Sequence, residues 1–320
     1  MDLQEYLESV EDLIDKTIFR FFGDAPGDLN KASAHLLLAG GKRLRPAVVM
    51  LAADAVQKSA SDRVFPAALA LEMTHTFTLV HDDIMDRDSL RRGVPTVHTV
   101  WDESIAILAG DVLYARAFEL ICKADSDPAS KVRAIAMLAK ACEEICQGQA
   151  DDMSFEKRTD VSRGEYLDMV RKKTGALYAA AAGIGAILAG GSPQQAEALH
   201  NLGMTTGIAF QIQDDLIDLL TPRGTSGKDR ASDLRAGKQT LIAIVAGERG
   251  IDLTPYKRDL TDEEIDSVIK NLEDAGVINE VRQIALNLVQ DAKKGLSVLH
   301  ESEEKQLIMQ MVDFFVTRGF

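Results

Sequence analysis

Apolar residues recur along most of this chain at three- and four-residue spacing, the pattern of helices with one buried face. Leu3, Tyr6, Leu7, Val10, Leu13, Ile14 and Ile18 form the first stripe, within Met1 to Phe22, and Gly23 to Gly27 with Pro26 ends it. Leu29 to Ala39 makes a second helix, stopped by Gly40-Gly41, since glycine reaches the backbone conformations that close a helix. Leu44 to Val56 resumes the period, with Pro46 in the first turn, where its missing N–H costs nothing. After a loop at Ser59 to Asp62 comes a long apolar run, Val64 to Val80. Further helical runs are Glu103 to Lys123, Ser130 to Ile145 and Glu165 to Ala189, then two helices within Gln194 to Asp218. From Gln239 onward the chain is again helical, with breaks near Gly250 to Pro255 and Glu273 to Val277. Thr221 to Gly237 is polar and glycine-rich without an apolar period, so it is expected to be a mobile lid-like loop. No segment alternates with a period of two, no repeat is seen and no linker stands out. The pattern predicts an all-α fold over residues 1–320 as one domain, a single large bundle of mostly antiparallel helices around a central deep cavity.

Two acidic clusters change the picture from a helical scaffold to a site. At the end of the Val64 to Val80 run stands His81-Asp82-Asp83-Ile84-Met85-Asp86, followed by Arg87, Arg91 and Arg92. On a helix Asp82 and Asp86 are i and i+4, so their carboxylates share one face, with Cβ atoms roughly 5–6 Å apart. Like charges at that spacing repel and call for something to offset them. The spacing returns at Asp214-Asp215-Leu216-Ile217-Asp218, near the end of the helical run Gly207 to Leu220. Oxygen-rich pairs of this kind suit Mg²⁺, which takes a few carboxylates and completes its sphere with water and substrate phosphate oxygens. The neighbouring Arg and Lys residues supply partners for that phosphate.

Composition narrows the substrate class. Formal net charge is −14, which argues against nucleic acid, because a phosphate backbone needs a basic surface. It leaves open a small phosphorylated ligand, which local charge decides. Hydrophobic residues make up 46%, an ordinary share for a globular chain, while aromatics are only 5%, a helix-favouring diet. Cys122, Cys142 and Cys146 lack the companions of a zinc site and read as reduced thiols in a cytoplasmic protein. The N-terminal stretch is acidic and amphipathic, unlike a signal peptide. The longest uncharged run, Thr174 to Ala196, is too rich in Gly and Ala to cross a membrane.

With both motifs in view the chain resembles the trans-isoprenyl diphosphate synthases, or polyprenyl synthetases. Five stretches over about two-thirds of the chain carry the likeness: Gly40-Gly41-Lys42-Arg43-Leu44-Arg45-Pro46, the first aspartate motif with Arg91-Arg92-Gly93, Gly148-Gln149, Lys173-Thr174, and Phe210-Gln211-Ile212-Gln213-Asp214-Asp215. The resemblance implies head-to-tail condensation of an allylic diphosphate with isopentenyl diphosphate, releasing pyrophosphate. It implies Asp82, Asp86 and Asp214 as Mg²⁺ ligands, with Mn²⁺ as a substitute ion, and Asp83, Asp215 and Asp218 as further or water-mediated ligands. Arg91, Lys173, Lys228 and Lys238 become contacts of the allylic diphosphate. Lys42, Arg45, His75 and Arg92 become the isopentenyl diphosphate pocket. Thr174 and Gln211 would face the developing carbocation, Gln149 and Asp152 would support them, and Asp233 would belong to the closing loop. A homodimer without a membrane span is implied as well.

Product length is expected to follow the side chain beneath Asp82, since one helical turn rises ~5.4 Å, close to one isoprene unit. The fifth residue upstream of Asp82 is Phe77 and the fourth is Thr78, a combination most like the archaeal geranylgeranyl diphosphate synthases. A C20 product is expected, with C15 as the alternative. A class I terpene cyclase would share the bundle but lacks a basic pocket such as Lys42 with Arg45. A non-catalytic subunit of a heteromeric synthase would have lost one aspartate motif, and both stand here.

Overall fold

The computed structural model describes residues 2–23, 26–221 and 230–317. These are mostly helical, and they gather into two compact units interleaved along the chain. The first comprises Met1–Ala139, Ala180–His200 and Val298–Ile308; the second comprises Lys140–Ala179, Asn201–Ser297 and Met309–Phe320.

In the first unit, α1 (Leu3–Phe22) begins at an Asp2 capping box closed by Glu5, and its buried stripe is Val10, Ile14, Ile18 and Phe22. Two exposed ends of backbone are thereby satisfied reciprocally. Helices α2 (Asp28–Leu38) and α3 (Leu44–Val56) follow, then α4 (Ser61–Met85), which packs against both α3 and α6 (Glu103–Lys123). Because α4 is covered on several sides, its buried residues run almost continuously from Val64 to Val80, small Ala67, Ala68 and Ala70 among them. Between α4 and α6 lie a two-stranded hairpin, β1 (Leu90–Arg91) and β2 (Val94–Pro95), and the short α5 (Val97–Val100). Leu90 pairs with Pro95 and Arg91 with Val94. Arg92 and Gly93 both have positive φ, 54° and 76°, as a two-residue hairpin turn that follows the strand twist requires. This hairpin is the one departure from a strandless reading among the described residues.

Four helices contribute residues to both units: α7 (Pro128–Phe155), α9 (Ala176–Leu188), α10 (Pro193–Leu220) and α15 (Glu303–Thr317). The second unit also holds α8 (Arg163–Val170), α11 (Ser232–Ala236), α12 (Leu241–Glu248), α13 (Asp262–Asp274) and α14 (Val277–Lys294). There α12 packs on α8 and α14, and α13 on α14. Tyr178, Phe210 and Phe315 meet edge-on or tilted, with ring centroids 5.2–5.4 Å apart.

Several boundaries differ from the periodic reading. The helix expected to stop at Ile145 continues through Gly148 to Phe155, and the two helices expected in Gln194 to Asp218 are one. In each case glycine permits close packing and does not break the helix. A Cβ on Gly148 would lie 2.4 Å from the Lys173 backbone nitrogen, and one on Gly203 would lie 2.4 Å from the Tyr178 carbonyl oxygen. The stretch expected to be one helix from Glu165 to Ala189 is interrupted by a single wide π turn, Arg171–Gly175. Of the segment expected to be a lid, residues 222–229 lie outside the described residues, while Ser232–Ala236 is helical. No helix among the described residues is long and apolar enough to cross a membrane.

Candidate active site

The first aspartate motif occupies the C-terminal end of α4. Asp82 and Asp83 lie in its last turn, and Asp86 is the cap, its N–H donating to the Asp82 carbonyl at 2.8 Å. Arg87 follows with φ +57°, and Asp88 N–H returns to the Asp83 carbonyl at 3.0 Å, a Schellman closure. Helical spacing of Asp82 and Asp86 is therefore retained to the end. Asp82 is half-buried and Asp86 exposed, whereas Asp83 is buried and accepts from Arg91 Nε. Arg91 also reaches Asp88 at 3.0 Å. Desolvation raises the Asp83 carboxyl above its usual range, although Arg91 opposes this. Carboxylates at a helix C-terminus face the negative end of the helix dipole, so the motif gains from a cation.

Beside it in the same unit is a basic cluster. His75 lies on α4, and its imidazole is pushed well below its usual range, by desolvation first and then by Arg45, Arg92, Arg91 and Arg43. Desolvation and the neighbouring guanidiniums Arg43, Arg45 and Arg91 likewise lower Arg92, with Glu72 opposing them. Such a surplus of positive charge around a neutral imidazole is a setting for a polyanion. Lys42 is exposed and Arg45 half-buried. Arg43, adjacent to both, is buried and turned inward, donating to Asp15 at 2.8 Å, to Glu72 at 2.5 Å and to the Leu37 carbonyl at 2.6 Å. Phe77, 8% exposed, meets Tyr114 of α6 edge-on at 5.2 Å and His81 at 5.7 Å. Thr78 Oγ1 donates to the His75 carbonyl.

The second motif lies near the end of α10. Asp215 is buried, accepting from Tyr166 Oη at 2.6 Å and from Gln211 Nε2 at 2.9 Å. Desolvation, then Asp233 and Asp214, push its carboxyl far above the usual carboxylate range, against those two hydrogen bonds. Asp214 is half-buried. Asp218 accepts from Ser232 Oγ at 2.6 Å and from the Asp233 N–H at 3.0 Å, holding the start of α11. Thr174, in the π turn, donates to Gln211 Oε1 at 3.0 Å, and Lys173 pairs with Asp152 at 2.6 Å. Single π turns of this kind re-aim a helix and recur at functional sites. A cavity of about 100 Å³ is lined by Lys173, Thr174, Gln211, Asp215, Asp233 and Lys238, among others. Lys238 stands 3.3 Å from Asp233.

The residues singled out from sequence thus fall into two groups, one in each unit. The first is Lys42, Arg45, His75, Phe77, Thr78, Asp82, Asp83, Asp86, Arg91 and Arg92. The second is Lys173, Thr174, Gln211, Asp214, Asp215, Asp218 and Lys238. Lys228 lies outside the described residues. In both motifs the middle aspartate turns inward to a fixed donor while the outer pair stays more accessible. Two participants escaped the sequence reading, Glu72 and Tyr166. Glu72 carried a usable signal, a lone acid inside an apolar helical run, which calls for a buried partner. Tyr166 carried none, since its hydroxyl partner is 49 residues away.

Comparison with known proteins places these features in context. The family model described as polyprenyl synthetase matches residues 27–281. A geranylgeranyl diphosphate synthase of Methanosarcina mazei is 48% identical over 296 residues, covering 92% of this chain and 91% of that one. A geranylfarnesyl diphosphate synthase of Natronomonas pharaonis is 47% identical over 311 residues, with 92% and 91% covered. The solved geranylgeranyl pyrophosphate synthetase of Geoglobus acetivorans superposes with a TM-score of 0.90 at 42% identity, covering 98% of this chain and 99% of that one.

Proposed function

The chain belongs to the polyprenyl synthetase family, and from that premise we propose that it is a prenyltransferase that makes geranylgeranyl diphosphate. It joins isopentenyl diphosphate head-to-tail to allylic diphosphates of C5 to C15 and releases pyrophosphate. The observation that carries the reading is the shared architecture of the two motifs. Each fixes its inward-turned middle aspartate by a side-chain hydrogen bond and leaves its i and i+4 carboxylates near a helix end.

The donor set is all oxygen, as a hard cation prefers, which fits Mg²⁺ with Mn²⁺ as a substitute. Among the described residues no three His, Cys, Asp or Glu side chains form a ready-made cage. Mg²⁺ does not need one, because substrate phosphate oxygens and water complete its sphere. Asp82 and Asp86 would hold Mg²⁺ in one unit and Asp214 would hold it in the other, with Asp83, Asp215 and Asp218 in support. Bound there, it would neutralise charge growing on the leaving diphosphate.

The chain's own residues do the rest. Arg91, Lys173, Lys228 and Lys238 hold the allylic diphosphate, and its C–O bond breaks as their charge stabilises the departing oxygen. Lys42, Arg45, His75 and Arg92 hold isopentenyl diphosphate so that its double bond lies beside the allylic carbon, which converts encounter into orientation. The oxygens of Thr174 and Gln211 face the cation, and their mutual hydrogen bond fixes their direction. The last proton leaves with the pyrophosphate. Phe77 closes the product cavity, braced by Tyr114. The same reading makes the protein one catalytic domain and a homodimer. It also places the protein in the cytoplasm, in keeping with three free cysteines.

The test is purified protein with labelled isopentenyl diphosphate, Mg²⁺ and C5, C10 or C15 starters, the products resolved by chain length. A C20 product from each starter is expected. Conversion of an allylic diphosphate without uptake of label would point to a cyclase instead. A C25 product would align the chain with its geranylfarnesyl relative, and C15 would restore the shorter alternative.

A further inference from the structure

Glu72 lies in the middle of α4, 2% exposed, and no substrate role falls to it. Its carboxylate stands between two guanidiniums. Oε1 is 2.5 Å from Arg43 Nη1 and 3.7 Å from Arg92 Nη2. Both arginines reach carbonyls at the C-terminal end of α2. Arg43 donates to Leu37, and Arg92 donates to Leu36 at 3.0 Å and to Gly40. Carbonyls there have no partner within the helix, so the two guanidiniums cap it. Gly41, at φ +143°, lies so close that a Cβ would come within 2.9 Å of the Arg92 guanidinium carbon. The stretch from Gly40 to Arg43 is therefore wrapped around Arg92 at one end and pinned through Arg43 at the other. Glu72 is the shared counter-charge. Lys42 lies inside that stretch and Arg45 two residues beyond it.

We infer that Glu72 is the positioning residue for the isopentenyl diphosphate pocket, acting through Arg92 and Arg43 on the loop that carries Lys42 and Arg45. The inference rests on the function proposed above. A buried carboxylate that serves only stability can be replaced, with its partner, by a neutral pair of similar shape at little cost. One that aims a second guanidinium cannot, because the neutral pair leaves Arg92 without its counter-charge.

The experiment measures melting temperature and both Michaelis constants for the wild type, Glu72→Gln and the double variant Arg43→Gln/Glu72→Gln. Glu72→Gln is expected to melt lower and to raise KM for isopentenyl diphosphate about tenfold or more. Its KM for the allylic diphosphate is expected to stay within about twofold. The double variant is expected to regain only part of the melting temperature, because Arg92 stays without its counter-charge, while KM for isopentenyl diphosphate stays raised. Should Glu72→Gln fail to fold, the double variant alone decides. The inference is overturned if the double variant recovers the wild-type KM along with stability, or if both Michaelis constants rise together. A wild type that consumes no isopentenyl diphosphate would instead remove the proposed function, a separate outcome.

Discussion

The phenol of Tyr166 donates to Oδ2 of Asp215 across 2.6 Å of buried space, while Gln211 holds the other oxygen. This contact orients the second aspartate motif from a helix that carries no acidic ligand itself. Tyr166→Phe removes one of two donors from a buried carboxylate and is expected to cost about 1–3 kcal/mol of stability. It should also raise the Mg²⁺ concentration for half-maximal rate several-fold. A Mg²⁺ titration of initial rate beside a thermal melt checks both, and an unchanged Mg²⁺ midpoint would contradict the role.

The two aspartate motifs should behave kinetically as parts of one device. Asp82→Asn and Asp214→Asn are each expected to lower kcat/KM by about 10²–10³-fold, the range for lost electrostatic stabilisation. Groups acting together are strongly non-additive, so the double variant should be little worse than either single one. Multiplicative losses in steady-state assays would show the motifs to be independent.

Phe77 is buried, and Tyr114 and His81 meet its ring edge-on. Phe77→Ala opens a volume at the foot of the proposed product cavity and should shift products from C20 toward C25 and longer. Chromatography of the labelled products reads this directly. The expected price in stability is about 3–5 kcal/mol if the space stays empty.

His75 is held neutral by desolvation and the arginines around it. Its folded pKa lies below the ordinary value of 6.5, so between the two the unfolded chain binds a proton that the folded chain refuses. Stability should therefore fall as pH drops below about 6.5, by up to about 1.4 kcal/mol per pH unit from this group. Urea unfolding of wild type and His75→Gln at pH 7.5 and about 5.5 isolates the contribution. The variant should lose less than the wild type.

Gly148 lets α7 approach the π turn so closely that a methyl group would strike the Lys173 backbone. Gly148→Ala should displace Lys173 and Thr174, lowering kcat/KM about tenfold or more, because small misplacements of positioning groups are costly. A full-rate variant with an unchanged melting curve would mean that the backbones part without consequence.

Much of this molecule was legible in its residues. Apolar periods and turn glycines marked most helices, and the joints around Gly250 and Gly276 fell where expected. Spacing alone put Asp82 with Asp86, and Asp214 with Asp218, on common faces, because that relation is internal to one helix. The errors share a cause. At Gly148, Gly203 and Gly207 a local pattern registers only the missing side chain. The backbone that occupies its place belongs to residues 173–179, at least 24 positions away in the sequence.

By itself the sequence determined the all-α class and the two acidic motifs, since each depends on residue type and short-range spacing, while the reaction followed from its likeness to a known family. Tertiary structure alone decided that Asp83 and Asp215 turn inward while their neighbours stay accessible, that Arg43 is buried beside exposed Lys42, and that Glu72 meets Arg43 and Arg92 while Tyr166 meets Asp215. Burial and hydrogen-bond partners are supplied by whichever distant segment packs against a helix, and no periodicity within that helix encodes them.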